Sequence, residues 1–193
     1  MNHLESLIDE NTSAILVNNP SNPCGSNFTR THLEEILGVA QKNFLPIISD
    51  EIYAGMNWTA HPFTALYTLP SRVPIITIGG LAKRFLVPGW RVGWVVVHER
   101  GGVFKDVRRG LGNLSQVQLH PNTVFQMALP KILETPKEFF EGVVDVLRSN
   151  ARLVVEELSK APGLHVIEPQ GALYAMVCPI FLRRLTAAGW VGI

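Results

Sequence analysis

Cysteine is scarce in this chain of 193 residues: Cys24 and Cys178 are the only two, far apart and in no CxxC or metal-ligand spacing. That argues against a disulfide framework or a zinc site and fits a reducing compartment. Charge is also thin, at 17% Asp, Glu, Lys and Arg with a net of +1. The basic residues are scattered, so neither nucleic acid nor an anionic membrane is the expected partner. No apolar run approaches the length of a membrane span. The opening MNHLESLIDE lacks a basic-then-apolar signal pattern, and a cytoplasmic location is expected. The six histidines (His3, His32, His61, His98, His120 and His165) show no metal-like pairing. There are no internal repeats and no low-complexity segment. What is there, at 47% hydrophobic content, is enough for one good core, or one core and part of another.

Apolar runs alternate with helical patterns along the chain. Residues 3–9 read as a short helix end and 13–17 (SAILV) as a buried strand that stops on the turn NNPSNPCG. Cys24 in that turn reads as a small buried thiol. Thr31 is the expected cap of the next helix, with Glu34 completing a capping box and Leu33, Ile36, Leu37 and Ala40 as its apolar face. A strand over 45–48 leads into SDEIY, and 54–72 is irregular, broken at His61-Pro62 and Leu69-Pro70. A strand over 75–78, a lysine-bearing turn and a strand over 92–97 follow. Continuous apolar strands joined through helices predict parallel pairing and an α/β fold. The chain then turns helical, moderately over 122–133 and strongly over 136–161. Thr135 is the expected cap of the long helix, and Phe140, Val144, Leu147, Ala151, Val155 and Leu158 form one stripe. A helix of that length suits a bridge between two domains. GLHVIEPQGALYAMV then reads as two short strands with a turn between them. The GLG at 110–112 follows a helical region rather than a strand and is no dinucleotide fingerprint.

In an open parallel sheet, ligands bind beyond the carboxyl ends of the strands. Here those ends carry polar residues that are costly to bury unpaired. The first leads to Asn18 and Asn22, the second to Asp50 and Tyr53, and the third to Gly79, Gly80 and Lys83, with Arg91 eight residues on. A lysine on a Gly-rich turn between buried strands is poorly placed as a solvated charge, and a neutral amine is what Schiff-base chemistry requires. Singly, each residue has a plain reading: cap, core aromatic, turn former, surface charge. Together they match an aldehyde cofactor with a ring nitrogen, a phenolic oxygen and a phosphate. Trp90 and Trp94, on either side of Arg91, read as packing residues.

NPSNPCG, SDEIY, and GGLAKR followed by PGWRVGW resemble the fold-type I pyridoxal-phosphate enzymes, specifically class I aminotransferases, nearest to their tyrosine-specific branch, over residues 3–177. The resemblance implies a three-layer α/β/α large domain with a mostly parallel sheet over residues 1–135. It implies a linking helix over 136–161 and the start of a small α+β domain over 162–193. It implies pyridoxal 5'-phosphate as cofactor, amino-acid and 2-oxo-acid substrates, and a homodimer. Lys83 would be the Schiff-base lysine and proton shuttle, Asp50 the partner of the pyridinium nitrogen, Tyr53 and Asn22 the donors to the phenolic oxygen, and Arg91 the phosphate ligand. The implied reaction is transamination of an aromatic amino acid, tyrosine first, with 2-oxoglutarate.

Departures from the family pattern bear on that reading. Gly80 stands where many relatives place a serine that bonds the phosphate, as in the tyrosine-specific branch. The family's N-terminal Gly-rich phosphate turn, its ring-stacking aromatic and its C-terminal carboxylate-binding arginine have no counterpart here. From 178 onward CPIFLRRLTAAGWVGI leaves the pattern, and Arg183 and Arg184 match no motif. The expectation is therefore a fragment or truncated product with a divergent end over 178–193. The rival readings are an inactive chain that pairs with an intact subunit, an aminotransferase of other specificity, and a same-fold lyase of the aminocyclopropane-carboxylate synthase kind.

Overall fold

The computed structural model describes residues 1–99, 101–117 and 119–180. In chain order the elements are α1 (Asn2–Ser6), β1 (Ile15–Asn18), α2 (Arg30–Lys42), β2 (Ile47–Asp50), β3 (Ile75–Gly80), β4 (Gly93–His98), α3 (Lys105–Val117), α4 (Thr123–Met127), α5 (Leu129–Leu133), α6 (Lys137–Ser159), β5 (Leu164–Ile167) and β6 (Met176–Pro179). The fold is α/β with a mostly parallel sheet. β1 pairs with β2 and β2 with β3 in parallel, with Ile15, Ile47 and Ile75 in one row. β4 closes the sheet antiparallel, Gly80 opposite Gly93, because the loop 81–92 carries no crossover helix and returns the chain beside β3. β5 and β6 form a separate antiparallel pair.

The core lies on one face of the sheet. Ile15, Val17, Ile47 and Ile75 pack with Leu33, Ile36, Leu37, Val39 and Ala40 of α2, each buried, Ile47 and Ala40 completely. Each such aliphatic side chain contributes about 1.5–3 kcal/mol by leaving water. On the opposite face Leu16 lies in register with Ile48, Ile76 and Val97, and Asn18 with Asp50, Ile78 and Val95. Leu16 is 69% exposed there.

Several boundaries differ from the sequence expectation for local reasons. α2 is capped by Thr29, not Thr31: the Thr29 hydroxyl accepts from the His32 N–H at 3.3 Å. Phe28, just before the cap, packs on the cluster that holds Leu33, a hydrophobic staple that fixes the earlier start. Glu34 pairs with Arg30 at 2.8 Å instead of reaching back to the cap. β2 begins two residues late because Pro46 has no N–H to give a ladder, while the Leu45 N–H closes α2 on the Ala40 carbonyl at 2.9 Å. The expected cap Thr135 instead donates its hydroxyl to the Ile132 carbonyl at 2.5 Å, and Pro136 precedes α6. All six residues of the α6 stripe are half-buried, as the spacing predicts, and Val143 beside them is half-buried as well. The 122–133 pattern divides into α4 and α5 at Ala128, with Pro130 in the first turn of α5. Gly110 and Gly112 lie inside α3, a helix that the sequence reading does not delimit. Cys24 is exposed rather than buried, since its turn faces solvent. The divergent end beyond 180, with Arg183 and Arg184, lies outside the described residues.

Candidate active site

Each strand end is held by its own hydrogen bonds. The Asn18 side chain spans two of them: Nδ2 donates to the Asp50 carbonyl at 3.2 Å, and Oδ1 accepts the Asn22 N–H at 2.6 Å. That bond folds the Asn-Pro turn back over the end of the sheet and brings Asn22 beside Tyr53. Asp50 ends β2 half-buried, with Oδ1 accepting the Ile52 N–H at 3.2 Å. Its neighbour Glu51 is buried and serves the fold: Oε1 accepts from the Ser49 hydroxyl at 2.9 Å and the Leu66 N–H at 3.0 Å.

Tyr53 is 3% exposed and lies at the centre of the group. Its hydroxyl is 2.7 Å from the Tyr174 hydroxyl, and the Asn22 side chain lies close enough to act on its ionisation. Burial pushes Tyr53 ionisation well above the ordinary tyrosine range, Tyr174 and the Asp50 charge add to the rise, and Asn22 pulls against it. At neutral pH Tyr53 is therefore a protonated donor. Lys83, half-buried on the loop after β3, holds Nζ over the Tyr53 ring, 5.6 Å from its centroid. Arg84 turns away, its guanidinium 4.4 Å from the Phe140 ring centre. At the end of β3, Gly79 leaves room for its β4 neighbour Trp94: a Cβ there would stand 2.5 Å from the indole nitrogen. Trp90 stacks on Phe125 at 4.9 Å, so both tryptophans pack.

Of the five residues expected at the site, Asn22, Asp50, Tyr53 and Lys83 meet. Arg91 stands apart at the same end of the sheet. It is exposed, in the left-handed region at φ 53°, and its Nη1 donates to the Pro88 carbonyl at 2.9 Å. Among the described residues that is its one side-chain bond, and the other guanidinium donors have no partner there. The residue that sequence reasoning did not single out is Tyr174. It was read as part of a strand, yet it lies ahead of β6, and its contact with Tyr53 spans 121 positions of sequence. The only local hint is the Pro-Gln-Gly turn ahead of it. By chemistry the set fits a group bearing an aldehyde, a ring nitrogen and a phenolic oxygen: an amine, a carboxylate, and a phenol with an amide. Among the described residues no group of His, Cys, Asp and Glu could hold a metal ion, and no helix is long and apolar enough to cross a membrane.

Comparison with known proteins gives the family and the fold. The family model for aminotransferase class I and II matches residues 1–180. A tyrosine aminotransferase of Mus musculus is 49% identical over 179 residues, which are 92% of this chain and 39% of that protein. Among solved structures, an alanine aminotransferase from Pyrococcus furiosus superposes with a TM-score of 0.87 at 31% identity, covering 92% of this chain and 45% of the other. A tyrosine aminotransferase from Leishmania infantum gives 0.83 at 34% identity, covering 89% and 42%. The chain spans about two fifths of the length of the curated relatives it matches.

Proposed function

The chain belongs to the class I and II aminotransferase family, and on that premise we propose that it serves the transamination of an aromatic amino acid, tyrosine first, with 2-oxoglutarate as acceptor and pyridoxal 5'-phosphate as cofactor. The observation that carries this reading is the meeting of Asn22, Asp50, Tyr53 and Lys83 at the ends of three adjacent strands. Identity to tyrosine aminotransferases supports the substrate class proposed.

Pyridoxal phosphate, when bound, supplies an electron sink for the charge left as a Cα–H bond ionises. Lys83 would hold the cofactor through Nζ and, once displaced by the incoming amino group, would move the proton that leaves Cα. Asp50 would keep the ring nitrogen protonated by its negative charge. Tyr53, protonated, would donate with Asn22 to the phenolic oxygen, and Asn22 would also neighbour the substrate carboxylate. Arg91 would bind the phosphate through its guanidinium donors. Gly80 offers no hydroxyl, so one phosphate donor would come from elsewhere. The division into a cofactor unit over 1–135, a linking helix and a second unit from 162, pairing with a second copy, and work in the cytoplasm belong to the same proposal.

The test is covalent trapping. Protein incubated with pyridoxal phosphate, reduced with borohydride and mapped by peptide mass spectrometry should carry its adduct on Lys83 and lose it in Lys83→Ala. Folded protein with no adduct, or an adduct spread over exposed lysines, overturns the reading.

A further inference from the structure

The segment 169–175 lies between β5 and β6, and its bonds go to the two turns that carry Asn22 and Tyr53. The Gln170 and Gly171 N–H groups donate to the Gly25 carbonyl at 2.7 and 2.8 Å. Gln170 Oε1 accepts the Asn27 N–H at 3.0 Å. The Trp58 N–H and Nε1 donate to the carbonyls of Gln170 and Pro169, at 3.1 and 3.0 Å, and the Ala172 N–H donates to the Met56 carbonyl at 2.8 Å. Ala172 and Met56 are sealed from solvent. Gly25 admits this approach: its φ is +64°, and a Cβ there would lie 2.6 Å from the Tyr174 carbonyl oxygen. Residues 170–172, just ahead of Tyr174, are thus tied by main-chain bonds to both turns.

We infer that Tyr174 is a positioning residue: its hydroxyl, 2.7 Å from that of Tyr53, fixes the direction in which the Tyr53 O–H points. The rings meet edge to face, 5.8 Å apart at 84°, so the hydroxyls are their polar meeting point. A hydroxyl has one proton and rotates to suit its partners. Among the described residues the Tyr53 hydroxyl has no other side-chain hydrogen bond, so without Tyr174 its proton is left free to rotate beside Asn22, Asp50 and the Lys83 Nζ. With Tyr174, the two hydroxyls share one hydrogen bond that sets that rotation. The consequence for the cofactor rests on the reading of Tyr53 as donor to a phenolic oxygen.

The experiment is a double-mutant cycle with Tyr53→Phe and Tyr174→Phe, read by the dissociation constant for pyridoxal phosphate. Each single change should weaken binding roughly five-fold, the scale of one net hydrogen bond. The double change should be no weaker than Tyr53→Phe alone, because Tyr174 acts through Tyr53. Additive losses, or no loss in Tyr174→Phe, overturn the inference. Hydrogen exchange over 169–175 should stay as protected in Tyr174→Phe as in the parent, since main-chain bonds hold the segment; affinity lost together with that protection would mean a merely structural role and also overturns it. A cofactor-free arm separates this from the functional reading. The chain has three tyrosines, so in a Tyr67→Phe background carrying 13Cζ-labelled tyrosine only the pair gives signals. Removal of the Tyr174 hydroxyl should shift the Tyr53 signal. A shifted signal in protein that binds no cofactor upholds the pair while the cofactor reading falls; an unmoved signal overturns the inference whatever binds.

Discussion

Asp50 and Glu51 are adjacent carboxylates with opposite duties, and the difference lies in solvent and partners. Asp50 is half-buried, and among the described residues it accepts one backbone N–H on Oδ1, which on the proposed reading leaves its second oxygen for the cofactor. Glu51 is 8% exposed and spends Oε1 on Ser49 and Leu66, tying the start of the 3₁₀ turn Leu66–Thr68 to the end of β2. Burial raises the Glu51 pKa above its ordinary 4.5, the two hydrogen bonds lower it by less, and the Asp50 charge adds to the rise. A raised folded-state value means that folding favours the protonated form. Its stabilising contribution is full below the ordinary value and is lost as pH rises through the folded one. Glu51→Gln keeps both acceptor bonds and removes the charge. Urea melts should therefore show the variant close to the parent at pH 4 and more stable than the parent at pH 8. A variant less stable at pH 8 would mean that the charge itself holds the turn.

The cap of α2 makes a similar distinction one level up. Thr29 and Thr31 both stand where a cap could be, and local pattern alone favours Thr31 with Glu34. The staple of Phe28 on the Leu33 cluster decides for Thr29. Thr29→Ala should cost about 1 kcal/mol in urea unfolding and Thr31→Ala a few tenths; the reverse order would place the helix start two residues later. This case shows what sequence carries and what it does not. The α6 stripe was legible because its spacing is set by helical geometry within a single element. The gathering of Asn22, Asp50, Tyr53 and Lys83 at one rim was legible because the ends of successive parallel strands fall side by side, although each residue singly has a plain reading. Thr29 needed a packing contact to be chosen, α3 was obscured by its interior glycines, and Tyr174 meets its partner only through folding of the intervening chain. Arg91 was legible as a charge on the far side of the lysine turn, but its engagement with the Pro88 carbonyl is a property of that turn's backbone.

For the whole molecule, the two faces of the sheet are the governing feature. α2 covers the face with Ile15, Ile47 and Ile75, while the row Leu16, Ile48, Ile76 and Val97 lies on the other. Leu16 at 69% and Val95 at 49% exposure mark that second face as open. A net charge of +1 supplies little repulsion between copies, so an open apolar face should govern solution behaviour. Leu16 precedes Asn18 by two residues, so the side chains of both leave the sheet on the face that ends at Asn18 and Asp50. The open face and the site are thus neighbours, yet they depend on different residues. The chain should bind an apolar-surface dye such as anilinonaphthalene sulfonate and associate as its concentration rises. Leu16→Ser with Val95→Ser should remove most of the dye signal, change stability by no more than about 0.5 kcal/mol per site, and leave trapping at Lys83 intact. Dye binding that survives both changes would move the apolar surface elsewhere, to α3 and α4, where Leu114, Val124 and Met127 are also exposed. Trapping lost with the dye signal would mean instead that the face and the strand-end cluster form one cooperative unit.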